Sequence, residues 1–303
     1  MKYIKSAGCF SLLYVILYFL LSMGMGIFVT NTYLFTTLFY LILWIAALIY
    51  LKICGENAFT SLRIRPIHIG SFFLVILLAF TIRPVAGFIT LVANLFFKDV
   101  TTNTMTQKVL NNLGLSIFTT AFLPGLVEET IFRGVLYSRL RKSNPIKAIL
   151  LSSLFFGIAH MNFQQFCYAF FLGIIFGFLV EATDSIFSSM TAHMVFNGSS
   201  ILLTYFMSNI TFENNVSTSS TNVTDVSMIL ASLPLAFIGL ILSILIIVLI
   251  AHLNGRLEYI KTWFRKSNQE LWPKEKAANF SFFAALLICF IFAMWMEVAS
   301  RIV

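Results

Sequence analysis

The sequence predicts an all-α polytopic membrane protein of about eight or nine transmembrane helices, with a buried polar site in the central helices. Three observations carry this expectation. The 303-residue chain is 59% hydrophobic and only 11% charged, with a mean hydropathy of +0.92, more apolar surface than a soluble domain of this length needs. Its apolar runs are long enough to cross hydrocarbon, which takes about 20 helical residues each. Within them stand a few glutamates, histidines and an asparagine, side chains that are expensive at membrane depth. Nothing marks out a second, soluble domain, so residues 1–303 are read as a single transmembrane domain.

Lys2 and Lys5 precede a first apolar run from about Cys9 to Thr30. Its core exceeds the ~7–15 residues of a signal peptide and no small-x-small cleavage site follows, so it reads as a retained span. A second span covers about Tyr33 to Leu51. A third runs from about Gly70 to Phe97 and contains Arg83-Pro84. There the proline breaks the helical ladder, and the arginine needs a partner or water. It serves either as a counter-charge for a buried carboxylate or, more simply, as part of a kinked helix whose arginine snorkels to an interface. A fourth helix starts near Leu113 and ends about Leu140, closed by the basic turn Arg139 to Pro145. Further spans follow at about Ile146–Met161, Phe166–Val180, Ile186–Met207, Met228–Leu253 and Phe280–Val298. Between the last two, Leu257 to Lys266 mixes aromatics with cations, as an interfacial helix does.

Lys and Arg alternate between loops as the positive-inside rule requires. The loops after spans two, four and eight hold Arg63 and Arg65, then Arg139, Arg141, Lys142 and Lys147, then Arg256 to Lys276. With the N-terminus cytoplasmic the count closes. The net charge of +8 therefore serves topology and anionic lipid rather than nucleic acid. Cys9, Cys54, Cys167 and Cys289 show no CxxC spacing and read as small apolar residues. Asn209, Asn215 and Asn222 each begin an Asn-x-Ser/Thr triplet, a pattern that arises easily in such a polar loop.

The stretch Leu126 to Tyr137 concentrates the unusual chemistry. It reads as a helical run with Pro124 and Gly125 just before it. Glu129 and Arg133, at i and i+4, meet on one face, while Glu128 points about 100° away. One glutamate is thus paired and its neighbour is free to act, unless the stretch is only a solvated helix end. His160 and His193 lie in other apolar spans, and Asn197 follows His193 by four residues on the same face. At 1.5 Å per residue from the basic turns, Glu128, His160 and His193 lie about 18, 22 and 12 Å deep. His68, in a basic loop, and His252, at a helix end, need no special role.

Two chemistries use such a set. A carboxylate in a low-dielectric site takes a proton from water, with imidazole sharing the role and further donors meeting a tetrahedral oxyanion. Alternatively two histidines and a glutamate hold zinc with a water in the fourth position, assembled from three helices since no HExxH is present. Both lead to peptide-bond hydrolysis.

Glu128-Glu129-xxx-Arg133, Phe156-xxx-His160 and His193-xxx-Asn197, in this order on successive helices, resemble the three motifs of the CPBP (CAAX protease and bacteriocin-processing, or Abi) intramembrane proteases. The resemblance covers roughly residues 113–200; the flanking spans, about 9–97 and 228–298, match only as generic membrane helices. It implies an endopeptidase acting on a membrane-associated, prenylated or precursor peptide. Glu128 would activate water, Glu129 and Arg133 would form a supporting pair, and His160 would be a second activating or metal-binding group. His193 and Asn197 would bind the oxyanion or the metal, and Phe156 would pack on the His160 face. If Zn2+ takes part, its ligands would be Glu128, His160 and His193. Membrane lipid and a peptide or protein substrate are the expected partners, and the multi-pass plasma membrane of a bacterium the expected location. The competing readings are a non-catalytic scaffold or bacteriocin self-immunity protein of the same family, and a proton-coupled transporter, against which the lack of an internal repeat argues.

Overall fold

A computed structural model describes residues 2–142, 144–213, 226–265 and 278–302, and no strand forms among the described residues. In chain order the helices are α1 (Lys2–Phe28), α2 (Thr32–Ile53), α3 (Ala58–Ser61), α4 (Ile69–Thr81), α5 (Arg83–Ala93) and α6 (Thr102–Asn111). Then come α7 (Leu113–Leu140), α8 (Pro145–Ile158), α9 (Phe163–Thr183), α10 (Ile186–Glu213), α11 (Val226–Leu253), α12 (Leu257–Thr262) and α13 (Phe280–Ile302). Seven segments are long and apolar enough to cross a membrane: α1, α2, α4 with α5, α7, α9, α11 and α13. Of the other two runs expected to span, α8 is a shorter apolar helix of 14 residues. The last, α10, is 28 residues long but diluted by serines, threonines, His193 and Asn197. All nine apolar runs are helical, and the chain is an all-α polytopic membrane protein. Asn215, Asn222 and the basic residues from Lys266 to Lys276 lie outside the described residues.

Local chemistry sets the breaks. The third span is interrupted at Ile82, and Pro84 falls in the first turn of α5, where its missing N–H costs nothing. Asn31, Asn57, Asn112, Asn144 and Asn162 cap α2, α3, α7, α8 and α9 by accepting backbone N–H bonds. Pro124 and Gly125, just before the Leu126–Tyr137 run, lie inside α7, which starts at Leu113 as the sequence suggested. The helix accommodates them because it widens to π geometry over Phe118–Phe122 and again over Thr130–Tyr137. Such widenings recur at functional sites.

The loops that close α2, α7, α9 and α11 converge at one end of the bundle around the fully buried carboxylate of Glu181. Arg63 Nη1 lies 2.7 Å from it, Arg141 binds it through Nε at 2.6 Å and Nη2 at 3.0 Å, and Arg256 Nη2 approaches at 3.3 Å. Tyr137 donates its hydroxyl at 2.8 Å. Burial works against the Arg141 charge, but the bonds to Glu181 win and hold its guanidinium above the ordinary arginine value. The outward faces of α11 and α13 expose large apolar side chains such as Phe237, Leu245, Phe283 and Ile291, a lipid-facing surface.

Removing the Glu181 carboxylate leaves three guanidinium groups without their shared counter-charge. Glu181→Ala is expected to destabilise the protein by about 3–5 kcal/mol, measured as a lowered thermal transition in detergent, whereas Glu258→Ala, on an exposed surface pair, leaves the transition unchanged.

Candidate active site

The middle of α7 carries Glu128, Glu129 and Arg133 into the bundle, and α10 passes close beside it. A Cβ at Gly125 would stand 3.3 Å from both the Met190 carbonyl and the Met194 amide. Only glycine permits that approach of two helix backbones. It brings His193 onto the glutamates: Nδ1 lies 3.0 Å from Glu129 Oε1, and Nε2 lies 3.9 Å from Glu128 Oε2. A carboxylate only accepts, so Nδ1 carries the proton and donates to Glu129, which turns Nε2 toward Glu128.

Glu129 and Arg133 are sealed from solvent and paired at 3.2 Å. Arg133 Nη2 donates to the Gly173 carbonyl on α9 at 3.2 Å. Its guanidinium lies 4.3 Å from the Phe156 ring centroid and 5.4 Å from that of Phe176, so the charge gains two aromatic faces as well as a counter-ion. Phe176 also stacks on His193 at 5.2 Å, and Phe156 meets the rings of both His160 and His193 edge-on at 5.1 and 5.9 Å. Phe156 is therefore the hub of the aromatic packing around both histidines, not only a support for His160.

His160 sits where α8 ends and the chain reverses into α9. Its Nδ1 donates to the Phe156 carbonyl at 2.8 Å. Met161, next in the chain, takes a left-handed conformation with φ of 54°, a local strain for a side-chain-bearing residue. Because α8 has only 14 residues, this reversal falls inside the bundle. His160 and Glu128 line one cavity of about 190 Å³, together with Tyr14, Tyr18, Tyr40 and Gln165. Tyr40, on α2, donates to Glu128 Oε1 at 2.7 Å, and the other oxygen, Oε2, is buried with no hydrogen-bond partner among the described residues.

The structure thus brings Glu128, Glu129, Arg133, Phe156, His160 and His193 together. Asn197 is placed differently. It lines a neighbouring cavity of about 440 Å³, and its Nδ2 donates to the Thr120 carbonyl at 3.0 Å. Pro124 lacks the N–H that would serve that carbonyl in an α-helix, so Asn197 repairs the α7 backbone from α10. Sequence reasoning also missed Tyr40, Phe176 and Gln165. The α2 span carries hydroxyls at Tyr33, Thr36, Thr37, Tyr40 and Tyr50, and which of them would face a glutamate was not readable.

A zinc site is tested by the donors themselves. Both histidines have Nδ1 fixed by an acceptor and Nε2 directed elsewhere, as metal-ligating histidines do. However, among the described residues no group of three His, Cys, Asp or Glu side chains converges closely enough to hold a metal ion, so Glu128, His160 and His193 do not form a ligand set as they stand.

Comparison with known proteins converges on the same segment. Residues 110–199 match the model of a family described as type II CAAX prenyl endopeptidase Rce1-like. Over 90 residues the chain is 31% identical to YdiL of Bacillus subtilis (strain 168), a provisionally named membrane peptidase. That match covers 29% of this chain and 37% of the relative's length. No solved structure matches. Over this core the chain is similar to the CAAX-type membrane proteases.

Deleting one member of the buried pair strands the other charge. Arg133→Met alone is expected to cost about 3–5 kcal/mol, and Glu129→Gln combined with it to cost markedly less than the sum of the two single changes. A double-mutant cycle on thermal unfolding in detergent measures this coupling.

Proposed function

We propose that this chain is an intramembrane endopeptidase in which Glu128 activates a water for attack on a peptide carbonyl. The observation that carries the reading is the unpartnered Oε2 of Glu128, buried 3.9 Å from His193 Nε2 on the wall of the cavity that His160 shares. A gap of that length between two acceptors suits a water that donates one hydrogen to each. Its oxygen lone pairs then face the cavity.

In the reaction the water oxygen forms a bond to the carbonyl carbon as Glu128 Oε2 takes its proton. When the carbon–nitrogen bond breaks, Glu128 returns that proton to the departing amine. Tyr40 fixes the orientation of the carboxylate through Oε1. Glu129 holds His193 in the required tautomer, as an acid partner orients a catalytic imidazole, and Arg133 balances the Glu129 charge. His160, its Nε2 free at the end of α8, is the candidate donor to the oxyanion once protonated. Asn197 acts as a positioning residue for α7. Zinc at Glu128, His160 and His193 would require these side chains to draw together, so no step is routed through it. The substrate is a membrane-associated peptide, prenylated or a precursor, and the arginine-rich end of the bundle faces the cytoplasm of a bacterial cell, with the N-terminus on that side.

The test uses purified protein in proteoliposomes with two reporters, a farnesylated peptide ending in a CAAX sequence and an unmodified single-span peptide. Cleavage of either is expected to fall at least about 1,000-fold in Glu128→Gln and about tenfold in Tyr40→Phe, following the usual weight of a general base and of one orienting bond. Full cleavage by Glu128→Gln would remove the proposal, and a folded Glu128→Gln protein that keeps its cellular role would favour a scaffold instead. Cleavage measured with and without chelator, and in His160→Ala and His193→Ala, decides the metal.

A further inference from the structure

The Arg83-Pro84 break has so far explained only a kink. Arg83 opens α5, midway along the α4–α5 span, and points to α10. Its Nη1 donates to the Phe196 carbonyl at 2.9 Å, to Ser199 Oγ at 2.7 Å and to Ser200 Oγ at 3.0 Å. Its guanidinium carbon lies 5.2 Å from the Phe196 ring centroid. These bonds all fall on one nitrogen. Nη2 and Nε bond to no described residue and are not sealed by protein, and Arg83 lines the 440 Å³ cavity.

The rest of that cavity's wall fits an anion. Thr106 and Thr204 bring hydroxyls and Gln165 an amide, while the Thr90 and Ser200 hydroxyls are already donated to the Ala86 and Phe196 carbonyls and Gln164 Nε2 to Asn94. Arg83 is the charged residue in a lining without Asp or Glu. Behind the wall, Lys108 Nζ lies 3.3 Å from Thr120 Oγ1. Neither Arg83 nor Lys108 has a carboxylate within 4.0 Å among the described residues. The nearby acid, Asp99, is already held by Thr101 and Thr102 at the start of α6. A guanidinium at this depth, fixed on one side and open on the other, is placed to receive an anionic partner. Gln165 lines both this cavity and the one holding Glu128 and His160, so the two cavities adjoin across its side chain.

We propose that the Arg83 cavity is a carboxylate-binding subsite that takes the free C-terminal carboxylate of the peptide substrate and thereby sets the cleavage position relative to the chain end. This rests on the protease reading for its catalytic consequence, though not for binding. A bidentate carboxylate on Nη2 and Nε matches the planar fork of arginine. A cavity of this size also suits a short tail rather than a folded domain.

The experiment compares one farnesylated peptide made with a C-terminal carboxylate and with a C-terminal carboxamide. Wild-type protein is expected to favour the acid by at least about tenfold in kcat/KM, mainly through KM, a difference of one decade in affinity. Arg83→Gln is expected to treat both alike at the amide level, and Arg83→Lys, which keeps the charge but loses the fork, to fall between. Equal use of both peptides by wild type, or a preference that survives in Arg83→Gln, overturns the proposal. So does a preference that follows anionic lipid content in the vesicles, since the occupant is then a lipid headgroup. Binding of the two labelled peptides to Glu128→Gln protein gives the same readout without catalysis. Acid-selective binding lost with Arg83 therefore supports the subsite even if no peptide is cut, and its absence sinks the subsite even if cleavage occurs. If Arg83→Gln fails to fold, the acid-against-amide comparison on wild type and Arg83→Lys decides.

Discussion

The ion pair between Glu129 and Arg133, closed off from solvent in the middle of a membrane-length helix, is the constraint on which the rest of the central bundle depends. Neither charge is tolerable alone in a low-dielectric interior. Each is met from a different helix: His193 on α10 faces Glu129, while the Gly173 carbonyl and the Phe176 ring on α9, with the Phe156 ring on α8, face Arg133. Satisfying one pair of charges therefore fixes the mutual positions of α7, α8, α9 and α10. Small residues make the approach possible. Gly173 itself packs where a Cβ would stand 3.0 Å from the Ser153 backbone, the close contact by which membrane helices associate when no hydrophobic drive separates them from lipid.

That arrangement divides labour between two adjacent glutamates. Glu129 is spent on structure, bonded to His193 and paired with Arg133. Glu128 is held on one oxygen by Tyr40, leaving the other without a hydrogen-bond partner among the described residues. The far end of the same helix is pinned separately, where Glu181 collects Arg63, Arg141 and Arg256 from three loops. Two buried acids thus act as the structural staples of the bundle, and a third is the one that the proposed reading assigns to reaction.

Much of what completes the site comes from outside the segment shared with known proteins. The family match spans residues 110–199, yet Tyr40 reaches Glu128 from α2 and Arg83 opens the adjoining cavity from α5. The shared core supplies Glu128, Glu129, His160 and His193. The flanking helices supply the walls that orient them and, on the proposed reading, select the substrate.

The sequence by itself determined the all-α membrane class, the nine helical runs, the Arg83-Pro84 break and the polar residues that gather between the central helices. Hydropathy, chain length and the cost of burying a charge act locally, and each leaves a mark on the linear chain. The i, i+4 spacing likewise placed Glu129 against Arg133, since helical geometry alone brings them together. Only the tertiary structure decided the remainder. The same spacing failed for His193 and Asn197, because a helix between two cavities sends one residue to Glu129 and the next turn's residue to the Thr120 carbonyl that Pro124 cannot serve. Partners from distant helices, Tyr40 for Glu128 and the serines of α10 for Arg83, have no sequence signature at all. Which faces of two apolar helices meet is settled by the packing of the whole bundle and by where its few polar groups can find one another.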